Sequence, residues 1–329
     1  MFQQGELRVH VPLVGEELRP PLGECKRPAG TLERHGSAET DSLWRGPLRQ
    51  LGEYLIAPVE ETGLLTHKTR LVLVPHAELH YLPFAALIHS DVQGGRGSRF
   101  LIERYELAAT PSASVWLALA DRAAPRTTAG VLALAPRPDA LPASRDEVAA
   151  IGRATGAAGE VLMGDAATEA AFRRDAPTRR VLHLATYGVL NRRNPLFSFV
   201  ELAPGEGEDG RLEVHEVFGL RLQADLVVLS GCQTGLGSGT LGDVPAGDDW
   251  IGLTRAFLHA GAANVVATLW PVNDRATAAL MERFYGSFTA GADPARALAA
   301  AQRELLARPA TAHPFYWAAF VVTESSGAR

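Results

Sequence analysis

One stretch, residues 225–239 with the sequence DLVVLSGCQTGLGSG, limits the possible folds of this chain more than any other. Residues 226–229 form an apolar run without polar alternation, which is typical of a strand covered by helices on both faces of a parallel sheet. The run ends at Ser230, and Cys232 follows in a glycine-rich loop. Sites in such sheets gather beyond the carboxyl ends of the strands. The stretch therefore predicts an α/β fold with Cys232 at its functional edge.

The rest of the chain alternates apolar strands with amphipathic helices. Apolar runs at residues 71–75, 131–135, 180–186 and 264–270 predict further strands, and helical patterns of about 10–15 residues separate most of them. This order is typical of a mostly parallel sheet flanked by helices. The chain has no internal repeat with a period of about 20–50 residues, which excludes a solenoid.

Polar residues mark several helix starts. Ser144 and Glu147 have the spacing of a capping box, and a second helix is expected to begin near Thr168. Two amphipathic helices are expected to start near Asp274 and Asp293.

Composition and charge exclude several functional classes. The 329 residues are 47% hydrophobic, enough for a full core, and their net charge is −5 with no cluster of five or more basic residues, which argues against nucleic-acid binding. The first residues lack the order of a signal peptide, and no apolar stretch approaches the length of a spanning helix, so no membrane association is expected. Only Cys25 and Cys232 are present, which favours a reduced, cytoplasmic setting over a disulfide framework.

Three segments are expected along the chain. Residues 1–40 are rich in proline and glycine and predict an extended lead-in or linker. The sequence turns polar between residues 121 and 130, and a new cycle of strands and helices begins after it. We therefore expect an N-terminal half over residues 41–125 and a second half over residues 126–329.

The loop at Cys232 has the features that a cysteine nucleophile requires. A free thiol, with a pKa of about 8.5, is only partly ionised at neutral pH, so it needs a base, usually a histidine. It also needs backbone amides directed at the developing oxyanion, and glycines allow the backbone to approach the substrate closely. The alternative interpretation is that Cys232 is a buried small apolar residue.

Several segments together resemble the CHAT family of caspase-like cysteine peptidases, in the clan of caspases and separases. The match runs in order over residues 43–323, through LVLVPHAELHYLPFAAL, FLIERYELAATPS, LHLATYGVLNRRNPLFSFVEL, LVVLSGCQTGLGSG, GLTRAFLHAGAANVVATLWPVND and WAAFVV. The resemblance implies a caspase-like three-layer α/β sandwich in which a degenerate caspase-like half precedes the catalytic half. It also implies that Cys232, in an S-x-C-x-T-G segment, is the nucleophile.

The chain departs from the family at the general base. The family's A-T-H-G segment reads Ala-Thr-Tyr-Gly over residues 185–188, so Tyr187 occupies the histidine position. A tyrosine with a pKa of about 10 is mostly neutral at pH 7; it can position a substrate or donate a hydrogen bond. His183 is an alternative base, but four residues of extended strand place it about 13 Å away, and its other interpretation is a hydrogen-bonded core histidine. His215 and His259 are more remote alternatives.

The resemblance also assigns residues around the nucleophile. It places the amides of Gly188 and Cys232 around the substrate carbonyl. Asp243, Asp248 and Asp274 flank the carboxyl ends of two core strands, and an acidic pocket there would favour a basic substrate side chain before the scissile bond. The alternative role of Asp274 is to cap a helix or to lie in its first turn.

Cofactor sites are not expected. Glycines 237, 239 and 242 match the dinucleotide-binding string, but they begin well after the strand and no helix starts at the third one. No group of histidine, cysteine and acidic residues has metal-ligand spacing. The sequence therefore predicts neither a cofactor nor a metal.

Two functions of different classes remain open. In the first, the chain is a cysteine endopeptidase that cuts a protein or peptide substrate, with its base supplied by another residue, a conformational change or a partner. In the second, it is a pseudo-peptidase that keeps the cleft for binding and regulation. The resemblance further suggests bacterial signalling or defence, with a separate helical-repeat or sensor chain as partner.

Overall fold

The computed structural model describes most of the chain in separate ranges. These are residues 43–90, 98–120, 129–155, 158–189, 191, 194–231, 248–270, 272 and 274–325. The expected lead-in of residues 1–40, the boundary near residue 125, Cys232 and Asp243 lie outside the described residues.

Strands and helices alternate along the described residues as the sequence predicts. The strands are β1 Arg70–Leu73, β2 Ile88–Ser90, β3 Ser98–Phe100, β4 Glu106–Ala109, β5 Val131–Ala135, β6 Gly159–Met163, β7 Val181–Ala185, β8 Gly188–Val189, β9 Phe199–Glu201, β10 Arg211–Glu213, β11 Leu226–Ser230, β12 Asn264–Thr268 and β13 Phe320–Glu324. The helices are α1 Arg45–Leu55, α2 Ala57–Glu61, α3 Leu101–Arg104, α4 Ala113–Ala120, α5 Pro142–Thr155, α6 Glu169–Asp175, α7 Val214–Gly219, α8 Asp248–Ala260, α9 Asp274–Thr289 and α10 Pro294–Leu306.

Two compact units divide the chain. The smaller unit contains the described residues 43–67 and 86–101, with α1, α2 and the antiparallel hairpin β2–β3. In this unit α1 lies against β2 so closely that a Cβ on Gly52 would come within 2.2 Å of the carbonyl oxygen of Ile88. The larger unit contains residues 68–85 and the described residues from 102 onward.

An eight-stranded sheet organises the larger unit. Its strand order is β1-β4-β13-β12-β11-β7-β5-β6, and every neighbouring pair is parallel except β12 and β13. This arrangement confirms the predicted α/β class and the mostly parallel sheet. The strands β1 and β4, from the N-terminal half of the sequence, continue the sheet beyond β13. Strand β1 is only half-buried, because it forms the edge of the sheet.

The central strands are covered on both faces. Every residue of β5, β7 and β11 is buried, which explains why these strands are apolar apart from His183 and Ser230. On one face, Leu182 and Leu229 join an apolar cluster that includes Phe257 of α8. On the other face, His183 of β7 contacts side chains of α5 and α9. Helices on both sides therefore shield the strands that lead to the predicted site.

The helix starts agree with the sequence in all but one case. The Thr168 side chain accepts a hydrogen bond from Ala171 N at 3.0 Å, and Asp293 caps α10. The capping box predicted at Ser144 is wrong, because α5 already begins at Pro142 and the Ser144 hydroxyl donates to a carbonyl in the preceding turn. Glu147, its expected partner, is instead buried against β7.

A small three-stranded sheet lies beside the carboxyl end of β7. It has the order β10-β9-β8, and both pairings are antiparallel. Strand β8 starts at Gly188, directly after Tyr187. The sheet therefore holds the segment that follows the predicted base position. Within the described ranges, no helix has both the length and the apolar character needed to cross a membrane.

Candidate functional site

Strands β7 and β11 end side by side. They pair in parallel from Leu226 opposite Val181 to Ser230 opposite Ala185. The ladder continues for one more step, because the amide of Thr186 donates to the Ser230 carbonyl at 3.1 Å. Tyr187 is the second residue after β7, as Cys232 is the second residue after β11 in the sequence.

Two threonines hold the ends of these strands. The buried Thr268 hydroxyl, at the end of β12, donates to the carbonyl of Gly231 at 3.2 Å. The Thr186 hydroxyl donates to the carbonyl of Glu201 at 2.7 Å. The first bond ties the backbone just before Cys232 to β12, and the second ties Thr186, the residue just before Tyr187, to β9.

The Tyr187 backbone continues into the small sheet. Its carbonyl accepts a hydrogen bond from the Glu201 amide at 2.8 Å, and the side chain is half-buried. Gly188 is buried and lies opposite Val200 in the ladder of β8 and β9. Tyr187, at the predicted base position, and Gly188, the predicted oxyanion donor, are thus neighbours whose backbone is hydrogen-bonded to the small sheet.

His183 is a fully buried residue with two polar neighbours. Its side chain is 0% exposed, with Nδ1 3.0 Å from the Tyr285 hydroxyl and Nε2 3.1 Å from Oε1 of Glu147. The second contact has ion-pair distance, but its angle does not meet hydrogen-bond geometry. Burial, reinforced by the charge of Glu147, raises the pKa of Tyr285 well above its usual value of 10, so the hydroxyl stays protonated and can donate to Nδ1.

This environment matches the core-histidine interpretation of His183. A base must reach the proton that it removes directly or through one water, and a fully buried imidazole has no path to solvent. The sequence could indicate the histidine but not its partners, since Glu147 and Tyr285 come from helices far away in the chain.

The two remote histidines lie near exposed phenylalanines. His215 on α7 is 3.1 Å from Oε2 of Glu213 and lies beside the ring of Phe197. His259 packs edge-on against Phe218. Helix α8 leads from the carboxyl end of β11 back to the amino end of β12, so His259 at its last turn lies toward the edge opposite the predicted site.

The predicted specificity aspartates occupy helix starts. Asp248 is the first residue of α8 and Asp274 the first residue of α9, and both helices follow strands of the central sheet. Their backbones therefore lie near the predicted edge, while their side chains are outside what the structure describes.

One group of carboxylates has the spacing of a metal site. Glu169, Glu208 and Glu216 each offer an oxygen atom within 4.8 Å of the others. The guanidinium of Arg173 contacts all three at 2.5–3.5 Å. Burial, together with the charge of Glu216, raises the pKa of Glu169 against the opposing effect of Arg173. The arginine supplies the positive charge here, and we assign no metal to the group.

The sequence did not single out a charged pair beside Tyr187. Arg137, shortly after β5, forms an ion pair with Glu201 of β9. A signal was available, since Arg137 is a charged residue just beyond a predicted core strand. Its partner could not be inferred, because the register of the small sheet was unknown.

Comparisons with known proteins agree with this architecture. A family model described as CHAT domain matches residues 45–325. Tetratricopeptide repeat protein 28 of Mus musculus is 26% identical over 341 residues, which cover 87% of this chain and 13% of that protein. The Homo sapiens protein of the same name is 27% identical over 340 residues, covering 86% of this chain and 13% of that protein. The chain thus spans about an eighth of the length of these curated relatives.

A solved structure has the same fold over most of the chain. Separase in the Saccharomyces cerevisiae separase–securin complex at 2.6 Å resolution superposes with a TM-score of 0.52 and 16% identity. The superposition covers 78% of this chain and 16% of that one. At this level of identity the likeness concerns the fold alone, and it confirms the caspase-like α/β architecture predicted from the sequence.

Proposed function

Because the chain belongs to the CHAT domain family, we propose that it is a caspase-like cysteine endopeptidase domain that acts on a protein substrate through Cys232. The observation that carries the proposal is the register of β7 and β11. Tyr187 and Cys232 are each the second residue after these neighbouring parallel strands, where the base and the nucleophile of such a site would be needed.

Tyr187 limits the rate in this proposal. A neutral phenol does not remove the thiol proton efficiently at pH 7, and loss of a general base typically lowers the rate by about 10²- to 10⁴-fold. Gly188 and the amide of Cys232 would still stabilise an oxyanion. The isolated domain should therefore hydrolyse peptides weakly, if at all, while its thiol remains able to react slowly.

A second candidate is a pseudo-peptidase that binds a protein without cutting it. Tyr187 favours this function, because a binding cleft needs no base. The curated relatives are named for tetratricopeptide repeats, with no peptidase activity in the name. In this version the cleft regulates a partner, and the glycine-rich loop of Cys232 is kept for binding.

The partner in either version is a protein. Separase, which shares the fold, was solved in complex with securin. We propose that a helical-repeat module, as in the curated relatives or on a separate chain, brings the partner to the domain. A cytoplasmic location and a role in bacterial defence remain predictions from composition and resemblance; the two curated relatives are mammalian.

Two substitutions test the function on a peptide library. The wild type, Tyr187→His and Cys232→Ala are compared by mass spectrometry of the products. We expect Tyr187→His to gain about 10²-fold or more in turnover, with all of that gain lost in the double variant that also carries Cys232→Ala. Robust turnover by the wild type, abolished by Cys232→Ala, would rule out the pseudo-peptidase. Turnover that survives Cys232→Ala would contradict both candidates.

A further inference from the structure

Tyr187 and Cys232 occupy corresponding positions after neighbouring strands, and Arg137 occupies the corresponding position after strand β5. Strands β5 and β7 pair in parallel, from Val131 opposite Val181 to Leu134 opposite Leu184. Counted in this register, Arg137 corresponds to Tyr187, just as Tyr187 corresponds to Cys232 in the register of β7 and β11. Arg137, Tyr187 and Cys232 are therefore each the second residue after one of three neighbouring strands.

Glu201 connects Arg137 to this edge. The guanidinium Nη2 of Arg137 pairs with Oε1 of Glu201. The backbone of Glu201 is held at both ends, since its amide donates to the Tyr187 carbonyl at 2.8 Å and its carbonyl accepts from the Thr186 hydroxyl at 2.7 Å. Glu201 therefore pairs with Arg137 through its carboxylate and is held through its backbone by Thr186 and Tyr187.

Arg137 keeps donors for a second carboxylate. Its side chain is 57% exposed, against 23% for Glu201, so the arginine faces solvent more than its partner does. A guanidinium has five N–H donors in a planar fork, and the pair with Glu201 uses one nitrogen. An arginine held in this way is suited to bidentate binding of another carboxylate.

We propose that Arg137, oriented by Glu201, is a specificity-determining residue that binds an acidic side chain of the protein substrate. The inference rests on the proposed function, because it requires a peptide in the cleft beside Cys232. Arg137 does not take part in the chemistry; it selects which peptides enter.

Strand spacing locates the acidic side chain along the substrate. Neighbouring strands lie about 4.8 Å apart, so β5 and β11 are about 10 Å apart, which corresponds to roughly three residues of an extended peptide. The substrate predicted by this arrangement has an acidic residue about three residues from the attacked bond.

The competing explanation is a surface ion pair with no role in recognition. Exposed pairs of this kind contribute little to stability. The chain contains a matched control for this explanation in Arg145, which is 58% exposed and pairs with Asp139 at 3.2 Å. Arg145 lies on α5, and its partner Asp139 lies in the loop before that helix, outside the small sheet that follows Tyr187.

The test measures binding, so it does not depend on turnover. The full chain carrying Cys232→Ala is used to select binders from randomised decapeptides displayed on phage. Enriched sequences are synthesised with each acidic residue in turn replaced by its amide. Dissociation constants are then measured for Cys232→Ala alone and with Arg137→Gln, Arg145→Gln or Glu201→Gln.

We expect one acidic position whose neutralisation weakens binding about tenfold, as is typical of a hydrogen bond to a charged group. Arg137→Gln should remove this preference while binding the neutralised peptide as before. Arg145→Gln should retain it, whereas Glu201→Gln should weaken it, since the carboxylate that orients the Arg137 guanidinium is lost. Arg137→Glu should reverse it in favour of a lysine at that position.

Three outcomes would overturn the inference. One is that the enriched peptides show no acidic preference; another is that Arg137→Gln weakens the acidic and neutralised peptides equally, as loss of a structural brace would. In both, peptides still bind, so the proposed cleft stands without the specificity role of Arg137. If no peptide is enriched at all, the proposed function fails together with the inference.

Discussion

Cys232 and Cys25 provide an internal comparison of reactivity. Cys232 is followed by a glycine-rich loop after a buried strand, where amide donors can stabilise a thiolate, whereas Cys25 lies in a proline- and glycine-rich segment. A thiol pKa lowered by one unit gives up to about ten times more thiolate at pH 7. We therefore expect iodoacetamide to modify Cys232 up to about tenfold faster than Cys25, as measured by peptide mass spectrometry over time.

The comparison has a simple control. In Cys232→Ala the rate at Cys25 should be unchanged, because the two thiols are predicted not to interact. Equal rates for both cysteines in the wild type would mean that the loop does not activate the thiol, and the apolar interpretation of Cys232 would then be favoured.

Single residues also show where sequence reasoning reaches its limit. The tyrosine at position 187 and the cysteine at position 232 could be proposed as site residues from local motifs, because each motif spans only a few neighbouring residues. Glu147 was misassigned as part of a capping box, although it is buried beside His183. Partners of this kind depend on how α5 packs on the sheet, and local spacing carries no information about such packing.

At the scale of elements, Gly261 directly follows the last residue of α8, and the structure explains why glycine is required there. Its φ of +119° is unfavourable for other residues, and a Cβ there would lie 2.1 Å from the carbonyl oxygen of Leu222. We expect Gly261→Ala to lower the free energy of unfolding by about 2–4 kcal/mol, through strain and the forced displacement of the Leu222 backbone. Urea denaturation followed by circular dichroism measures the change.

Gly286 is the matched control for this substitution. It lies inside α9, where an added Cβ meets nothing within 4 Å. Alanine is more favourable than glycine in a helix interior by about 1 kcal/mol, so Gly286→Ala should leave the free energy of unfolding unchanged or raise it. Similar losses in both variants would show that the turn after α8 imposes no special requirement for glycine.

Across the whole molecule, the class of fold could be predicted but the strand order could not. Apolar runs and helical spacing define which segments are strands, and the sheet confirms them. The antiparallel β13, and the addition of β1 and β4 beyond it, depend on long-range pairing. Alternation of strands and helices alone does not distinguish this arrangement from a sheet that is parallel throughout.

That long-range pairing buries an acid whose ionisation should affect the stability of the whole larger unit. Glu324 of β13 is 1% exposed and pairs with Arg70 of β1, which also lies 3.0 Å from Asp293 at the start of α10. Burial raises the pKa of Glu324 to about 7, even though Arg70 lowers it. Three elements distant in sequence thus meet at one titratable group.

The raised pKa makes stability fall as pH increases. Between pH 4.5 and about 7 the folded chain keeps a proton on Glu324 that the unfolded chain has released. The stabilising contribution is therefore complete below pH 4.5 and is lost as pH rises through about 7, with a total on the order of 3 kcal/mol. Urea denaturation at a series of pH values should show this decline in the wild type.

Two variants separate Glu324 from other titrating groups. Glu324→Gln stays neutral at every pH, so the part of the slope between pH 4.5 and 7 that arises from this residue should disappear. Arg70→Gln removes the charge that lowers the pKa of Glu324, so the decline should extend above pH 7 and its total should increase. If Glu324→Gln leaves the pH dependence of the wild type unchanged, the buried carboxyl is ionised throughout this range, and attraction to Arg70 outweighs its burial.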